Sequence, residues 1–333
     1  MIRTELSRTG LSRTGLSRTL CALVLVVSTS FCFGHDAPAV PEPMDLDQLL
    51  EVFGWDLDNA KIETHQVGDN LYVLFGLGGN IAVSVGEDGV LIVDDQFPEL
   101  IPDIKSAIKK IGGDGVDFAI NTHWHFDHAE GNLALGPEGT WLVSQANSRQ
   151  MMLNDHVINL VIASYGQKAY PKSALPTMTF DDTMQFHFNG ELIDLKHYGP
   201  AHTTGDTAVI FRGSNAVHLG DVYNNAGYPF IDAGNGGTID GVIEFCTATL
   251  AEINKDTVVI PGHGPIADYQ ALVDYITMLK TIRHRMMALI EKGASLEEVY
   301  SAKVTADWDD KNGDNKGFIN RAYMSLTHKI VDR

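Results

Sequence analysis

The chain has 333 residues, 44% hydrophobic and 20% charged, with a formal net charge of -19. This is ordinary globular composition with ample apolar material for a large core, so the chain is expected to fold as one large or two average domains. So acidic a body repels phosphate backbones and anionic membranes, which argues against a nucleic-acid substrate.

The amino terminus reads as a secretory signal over residues 1–34. Arg3, Arg8, Arg13 and Arg18 punctuate an imperfect Leu-Ser-Arg-Thr-Gly repeat, the apolar run Leu20 to Val27 follows, and small residues Ser28 to Ser30 come next. The run is too short to span a bilayer. Its removal takes away four arginines and Glu5, a charge of +3, and leaves about -22. Cys21 and Cys32 lie in this leader. Cys246 alone would remain, a small buried hydrophobe in an apolar helical pattern, so no internal disulfide is expected. The expected location is periplasmic or secreted.

Residues 35–60 read as a mature N-terminal extension, Pro- and Ala-rich to Pro43, with a short helix over Leu46 to Phe53. The domain proper is expected over 61–333. It opens with strand patterns at Lys61 to Val67, Leu71 to Phe75, Ile81 to Val85 and Val90 to Val93. The loop Gly76 to Asn80 carries no GxGxxG pattern leading into a helix, against a dinucleotide site. A helix over Pro102 to Ile111 and a strand over Val116 to Ile120 follow, and that strand delivers Asn121-Thr122-His123-Trp124-His125-Phe126-Asp127-His128. In extended chain His123 and His125 face one side and can grip one ion, while Asp127 and His128 turn towards a second.

A strand at Trp141 to Ser144 and a helix at Gln145 to Met152 come next, and Asn159 to Pro176 reads as an irregular lid. The second half repeats the style, with strands at Met184 to Phe188, Glu191 to Leu195, Thr207 to Phe211, Ala216 to Leu219 and Thr257 to Ile260. Helices are expected at Ile239 to Lys255 and Tyr269 to Lys292. Strands followed by helices in both halves predict an α/β fold, a four-layer αββα sandwich. Asp307 to Gly317 fails as a calcium loop: with Gly317 at the sixth position, Lys316 stands at a ligand position and Tyr323 where a Glu is needed. A solvated loop is expected instead.

Three further segments release a His or Asp from an apolar strand edge into a tight loop: His202 in Tyr198 to Asp206, Asp221 in His218 to Asp221, and His263 in Ile260 to Pro265. The parity of His218 makes it a packed, hydrogen-bonded position rather than a ligand. His65, His156, His187, His197, His284 and His328 lack a partnered context.

The series HxHxDH, then His, Asp and His, resembles the metallo-β-lactamase superfamily over roughly Lys61 to Pro265. The resemblance implies the αββα fold and two Zn2+ per chain. His123, His125 and His202 would hold the first, and Asp127, His128 and His263 the second, with Asp221 bridging both or completing the second. Positions left open suit a catalytic site with a metal-bridging hydroxide, which Asp127 would orient as the catalytic carboxylate. Thr203 and Asp206 are candidates for fixing imidazole tautomers behind the ligands.

The family's zinc β-lactamases usually carry Cys or Ser where this chain has Asp221, whereas Asp is typical of its glyoxalase-type thioesterases, lactonases and RNA-processing members. Residues 222–230 lack the basic groups that would hold glutathione. The loops 76–80 and 223–232 are expected to wall the pocket. The predicted function is an exported binuclear zinc hydrolase that cleaves the C(=O)–X bond of a small lactam, lactone, ester or thioester, with no nucleic-acid partner and no membrane association once the leader is cleaved. The alternatives are a β-lactamase proper, a mononuclear iron oxygenase on the same scaffold and a non-catalytic exported binding protein.

Overall fold

The computed structural model describes residues 42–327. The leader with Cys21 and Cys32, residues 35–41 and His328 lie outside the described residues.

The first half begins with α1 (Leu46–Phe53), which Asp45 caps by accepting from the Gln48 amide. Then come β1 (Glu63–Gln66), β2 (Leu71–Phe75), β3 (Ile81–Gly86), β4 (Gly89–Val93), α2 (Ile101–Lys110), β5 (Phe118–Asn121), α3 (Phe126–Ala129) and α4 (Asn132–Glu138). β6 (Trp141–Gln145), α5 (Ala146–Met152), β7 (His156–Asn159), β8 (Ser164–Gln167) and β9 (Met178–Phe180) complete it. The second half holds β10 (Thr183–Phe188), β11 (Glu191–Lys196), β12 (Ala208–Phe211), β13 (Ala216–His218), α6 (Ile239–Glu252), β14 (Val258–Ile260) and β15 (Ala267–Asp268). It ends in α7 (Tyr269–Ile290), α8 (Leu296–Ser301), α9 (Asp309–Asn312) and α10 (Lys316–Thr327).

These strands make a seven-stranded sheet in the order β1-β2-β3-β4-β5-β6-β9 and a six-stranded sheet β10 to β15 in sequence order. Adjacent strand residues point to opposite faces, so Ile92 and Val93, Ala119 and Ile120, and Val209 and Ile210 each divide between two different apolar layers. Val93, Ile120, Val209 and Phe211 meet between the sheets. Ile92 and Ala119 pack outward on Ile104 and Ile108 of α2, and Ile210 and Val217 pack on Val242 of α6 and Leu279 of α7. Three apolar layers separate four structural ones, which is the expected αββα sandwich. Both faces of the central strands are buried, and for that reason they read as continuous apolar runs rather than alternating ones.

Strand direction decides where the chemistry gathers. β4, β5, β6 and β9 run parallel, as do β13 and β14, so their carboxyl ends share one edge of each sheet. β3 and β12 are antiparallel to β4 and β13, so their starts lie at the same edges. The loops before β3 and β12 and after β4, β5, β13 and β14 thus converge on one rim.

Two expectations change. The stretch 159–176 is not an irregular lid, because it contains most of a hairpin, β7 paired with β8. Its tip, Leu160-Val161-Ile162-Ala163, lacks the Gly or Asn that usually signals a turn, and Val161 adopts φ 73°, an unusual conformation for a β-branched residue. The segment 307–317 is more than a solvated loop: Asp309 Oδ1 accepts from Tyr228 Oη at 2.8 Å and from Asn315 Nδ2 at 3.0 Å, tying it to the body. The short helix expected at Leu46 to Phe53 packs on the domain edge. Met44 N donates to Ser164 O at 2.7 Å and α1 buries Leu49 completely. Cys246 is buried in the layer beside α7, and burial pushes its thiol pKa up, as befits a packing residue. No helix among the described residues is long and apolar enough to cross a membrane.

Candidate metal centre

The octet after β5 leaves the strand at Asn121, passes through extended backbone at His125 (φ -66°, ψ 150°), and turns at once into α3. That change from strand to helix separates the donors into two groups. His123 and His125 join His202 from the loop before β12, whereas Asp127 and His128 join His263 from the loop after β14. Asp221, after β13, stands between them: Oδ1 is 3.1 Å from His128 Nε2 and 3.4 Å from His263 Nε2, and Oδ2 is 3.8 Å from His202 Nε2. All seven candidate ligands therefore meet in one place, and a third group of His123, His128 and Asp221 overlaps the other two.

Each of four rings is held by its outer nitrogen. His123 Nδ1 lies 3.0 Å from Thr122 Oγ1, His125 Nε2 lies 3.0 Å from Asp232 Oδ2, His128 Nδ1 lies 2.8 Å from Asp94 Oδ2, and His202 Nδ1 lies 2.8 Å from the Phe230 carbonyl. On His123, His125 and His202, holding the outer nitrogen as a donor leaves the inner one as a lone pair aimed into the cluster. His125 Nδ1 and His202 Nε2 then approach to 3.0 Å, and His128 Nε2 and His263 Nε2 to 3.2 Å. His123 Nε2 is buried with no hydrogen-bond partner. A buried orphan nitrogen and converging lone pairs are costly in themselves and suit a cation placed among them. The donor set fits divalent metal, and imidazole with carboxylate favours zinc or a similar borderline ion.

Electrostatics distinguishes the two groups. Burial, and then the neighbouring rings of His128, His202 and His125, hold His123 well below the usual imidazole range; burial and His125 lower His202. Both are thus neutral ligands. Burial also works against charge on His128 and His263, but the carboxylates of Asp221 and Asp127 outweigh it, raising His128 well above its ordinary value and His263 to about 10. Asp221 and Asp127 are reciprocally lowered: burial opposes this, and the charges on His263 and His128 prevail. The second group therefore holds protons that a cation must displace. The opening to solvent lies on this side, since the side chains of Asp127, Asp221 and His263 are 11%, 13% and 23% exposed while those of His128 and His202 are sealed.

Thr203 and Asp206 do not hydrogen-bond the imidazole of a candidate ligand. Asp206 Oδ2 accepts from the Ala201 and Thr203 amides and Oδ1 from Thr203 Oγ1, so the pair shapes the loop that carries His202. The imidazole partners are Asp94, Thr122, Asp232 and Phe230, none of which the sequence assigned to that role. Asp94 had a signal: it follows the apolar run of β4 as Asp221 follows β13. Asp232 lies 107 residues from its partner in an irregular loop and gives none. His218 is a packed residue, as its parity implied, with Nε2 2.9 Å from Asn80 O and Nδ1 accepting from Gly220 N. His197 does have a partner, its Nδ1 donating to the Asp206 carbonyl at 2.7 Å. In the walls, Tyr223 is core rather than pocket, whereas Phe230 lies over the rings of His125 and His202 at 6.0 and 5.6 Å.

Residues 74–263 match the sequence profile of the metallo-beta-lactamase superfamily, a span that includes every candidate ligand and ends on His263. A probable metallo-hydrolase of Methanocaldococcus jannaschii is 24% identical over 208 residues, 59% of this chain and 93% of that protein. Among solved structures, the DIM-1 metallo-beta-lactamase superposes with a TM-score of 0.53 at 18% identity, over 66% of this chain and 98% of its own. A stereoselective inverting sec-alkylsulfatase from Pseudomonas sp. gives a TM-score of 0.63 at 13% identity, over 80% of this chain and 50% of that one.

Proposed function

The chain belongs to the metallo-β-lactamase superfamily, and from that premise we propose that this metal-dependent hydrolase is an exported binuclear zinc enzyme that cleaves a C(=O)–X bond. The observation that carries the reading is the convergence of seven inward-facing donors, a three-imidazole group beside a carboxylate-rich group, with Asp221 between them. Two divalent cations held there supply Lewis acidity for a carbonyl oxygen and a water acidic enough to attack at neutral pH.

The chain's own residues do the rest. His123, His125 and His202 keep their outer nitrogens protonated on Thr122, Asp232 and Phe230, so each offers a fixed lone pair. Asp127, with Oδ2 3.1 Å from His263 Nε2 and on the open side of the site, orients the attacking water and accepts its proton. Phe230 shields His125 and His202 and gives the first group an apolar wall. The rim loops 76–80 and 223–232 contain no Lys or Arg, which favours a neutral or weakly anionic lactone, ester, thioester or lactam over a strongly anionic substrate. Asp221 at a position where zinc β-lactamases usually carry Cys or Ser weighs against a β-lactamase proper. Export rests on the arginine-punctuated apolar leader.

The test is metal analysis of the mature protein followed by a hydrolysis panel of lactone, thioester, carboxylic ester, cephalosporin, phosphodiester and alkyl sulfate. Two zinc ions per chain and turnover of a carbonyl substrate are expected. One iron per chain, or turnover confined to phosphodiesters or sulfates, overturns the reading.

A further inference from the structure

The loop before β3 does more than wall the pocket. Asn80 is 4% exposed and reaches across from the first half to the loop that carries His263. Its Nδ2 donates to Pro261 O and to Gly264 O, both at 2.9 Å, and its amide donates to Gly262 O at 2.7 Å. Backbone carbonyls on both sides of His263 are thereby fixed by one residue. The Asn80 carbonyl in turn lies 2.9 Å from Nε2 of the fully buried His218, whose Nδ1 accepts from Gly220 N at 3.1 Å, next to Asp221. This network defines the His218 tautomer: Nε2 carries the proton and Nδ1 the lone pair.

The neighbouring glycine extends the same device. Gly79 N donates to Asp127 O at 2.9 Å, and a Cβ on Gly79 would lie 2.2 Å from the His128 ring. Residues 79 and 80 together thus touch the loops or rings of Asp127, His128 and His263, and through His218 the turn of Asp221. The anchors of His123, His125 and His202 are Thr122, Asp232 and Phe230, none of which Asn80 bonds.

We propose that Asn80 and His218 are positioning residues of the second cation site, setting the separation of His263 and Asp221 from Asp127 and His128 without touching a cation or substrate. The proposal rests on the two-cation reading above. Asn80 meets its three acceptors and its one donor only when the two halves are in register, so the second site is assembled by the same bonds that join the halves. A general fold staple would affect both sites alike, and that difference makes the idea testable.

The experiment uses the full chain, stripped with a chelator and titrated with Co2+, with bound metal counted and the cobalt absorption spectrum followed. Wild type takes up two equivalents. Asn80→Ala keeps the first at wild-type affinity and binds the second at least ~10-fold more weakly. His218→Phe does the same, while His218→Gln, which keeps a donor towards the Asn80 carbonyl, recovers the second equivalent. Circular dichroism of the metal-free variants reports folding. If Asn80→Ala does not fold, the His218→Phe and His218→Gln pair decides. Two equivalents at wild-type affinity in Asn80→Ala, or equal weakening of both in a folded variant, overturns the proposal alone. A single equivalent in wild type overturns the two-cation reading and the second site with it.

Discussion

His128 and Asp94 meet at 2.8 Å through Nδ1 and Oδ2, with neither side chain exposed to solvent. Asp94 also accepts from Thr122 N at 2.7 Å and Thr122 Oγ1 at 2.8 Å, and Thr122 Oγ1 accepts from His123 Nδ1. One carboxylate, held in left-handed backbone at φ 65°, therefore supports a ring from each of the two ligand groups. Asp94→Asn is expected to weaken both metal equivalents, each by roughly 10- to 100-fold. Asp232→Asn, whose side chain bonds His125 alone among the candidate ligands, should weaken only the first. Isothermal titration of the metal-free protein separates the two; equal effects from both substitutions would contradict the assignment.

The ligand groups themselves can be dissected. His123→Ala and His128→Ala should each lower bound zinc by about one equivalent, because the two residues serve different ions. Elemental analysis after dialysis checks this. Loss of both ions, or of neither, in the two variants counts against the division.

A pH dependence follows from Glu130. Burial, only partly offset by the Tyr165 hydroxyl that donates to Oε1 at 2.8 Å, pushes its carboxyl from an ordinary 4.5 to about 7. The folded acid binds its proton more tightly than the unfolded one does. The contribution of Glu130 to stability is accordingly fully present below pH 4.5 and falls as pH rises towards 7, by roughly 3 kcal/mol at most. Glu130→Gln keeps an acceptor for Tyr165 and removes that fall. Urea unfolding of metal-free protein at pH 5 and pH 8 measures it, and an unchanged pH slope in the variant rules the assignment out.

The carboxyl-terminal helices steady the rim. Tyr228 stacks on Phe318 with ring centroids 5.2 Å apart, and its hydroxyl donates to Asp309 Oδ1. The loop held in this way carries Phe230 and Asp232 to the first-group histidines. Tyr228→Phe keeps the stack and loses the hydrogen bond, for an expected destabilisation of about 1 kcal/mol. A thermal melt reads it, and no change in midpoint would show the bond to be dispensable.

Local pattern was enough to announce most of the strands and the long helices α2, α6 and α7, because their apolar runs repeat at the periods that secondary structure imposes. It was also enough to pick out the candidate ligands, since HxHxDH, His202, Asp221 and His263 each follow or precede an apolar strand in a tight loop. The hairpin β7–β8 was missed because its tip is apolar where turns are usually polar. The segment 307–317 was misread because the value of Asp309 depends on Tyr228, 81 residues away. Thr203 and Asp206 were chosen for nearness along the chain, and they serve the loop.

By itself the sequence determined which side chains would be candidate metal ligands and beside which strands they would sit, since both are properties of short stretches. Only the tertiary structure decided which nitrogen of each imidazole faces inward, through partners as distant in sequence as Asp94, Asp232 and Phe230. It alone decided that Asn80 bonds both flanks of His263, 181 and 184 residues further on. Hydrogen bonds across the rim depend on the relative placement of two sheets, and that placement is set by the apolar layers between them rather than by any local signal.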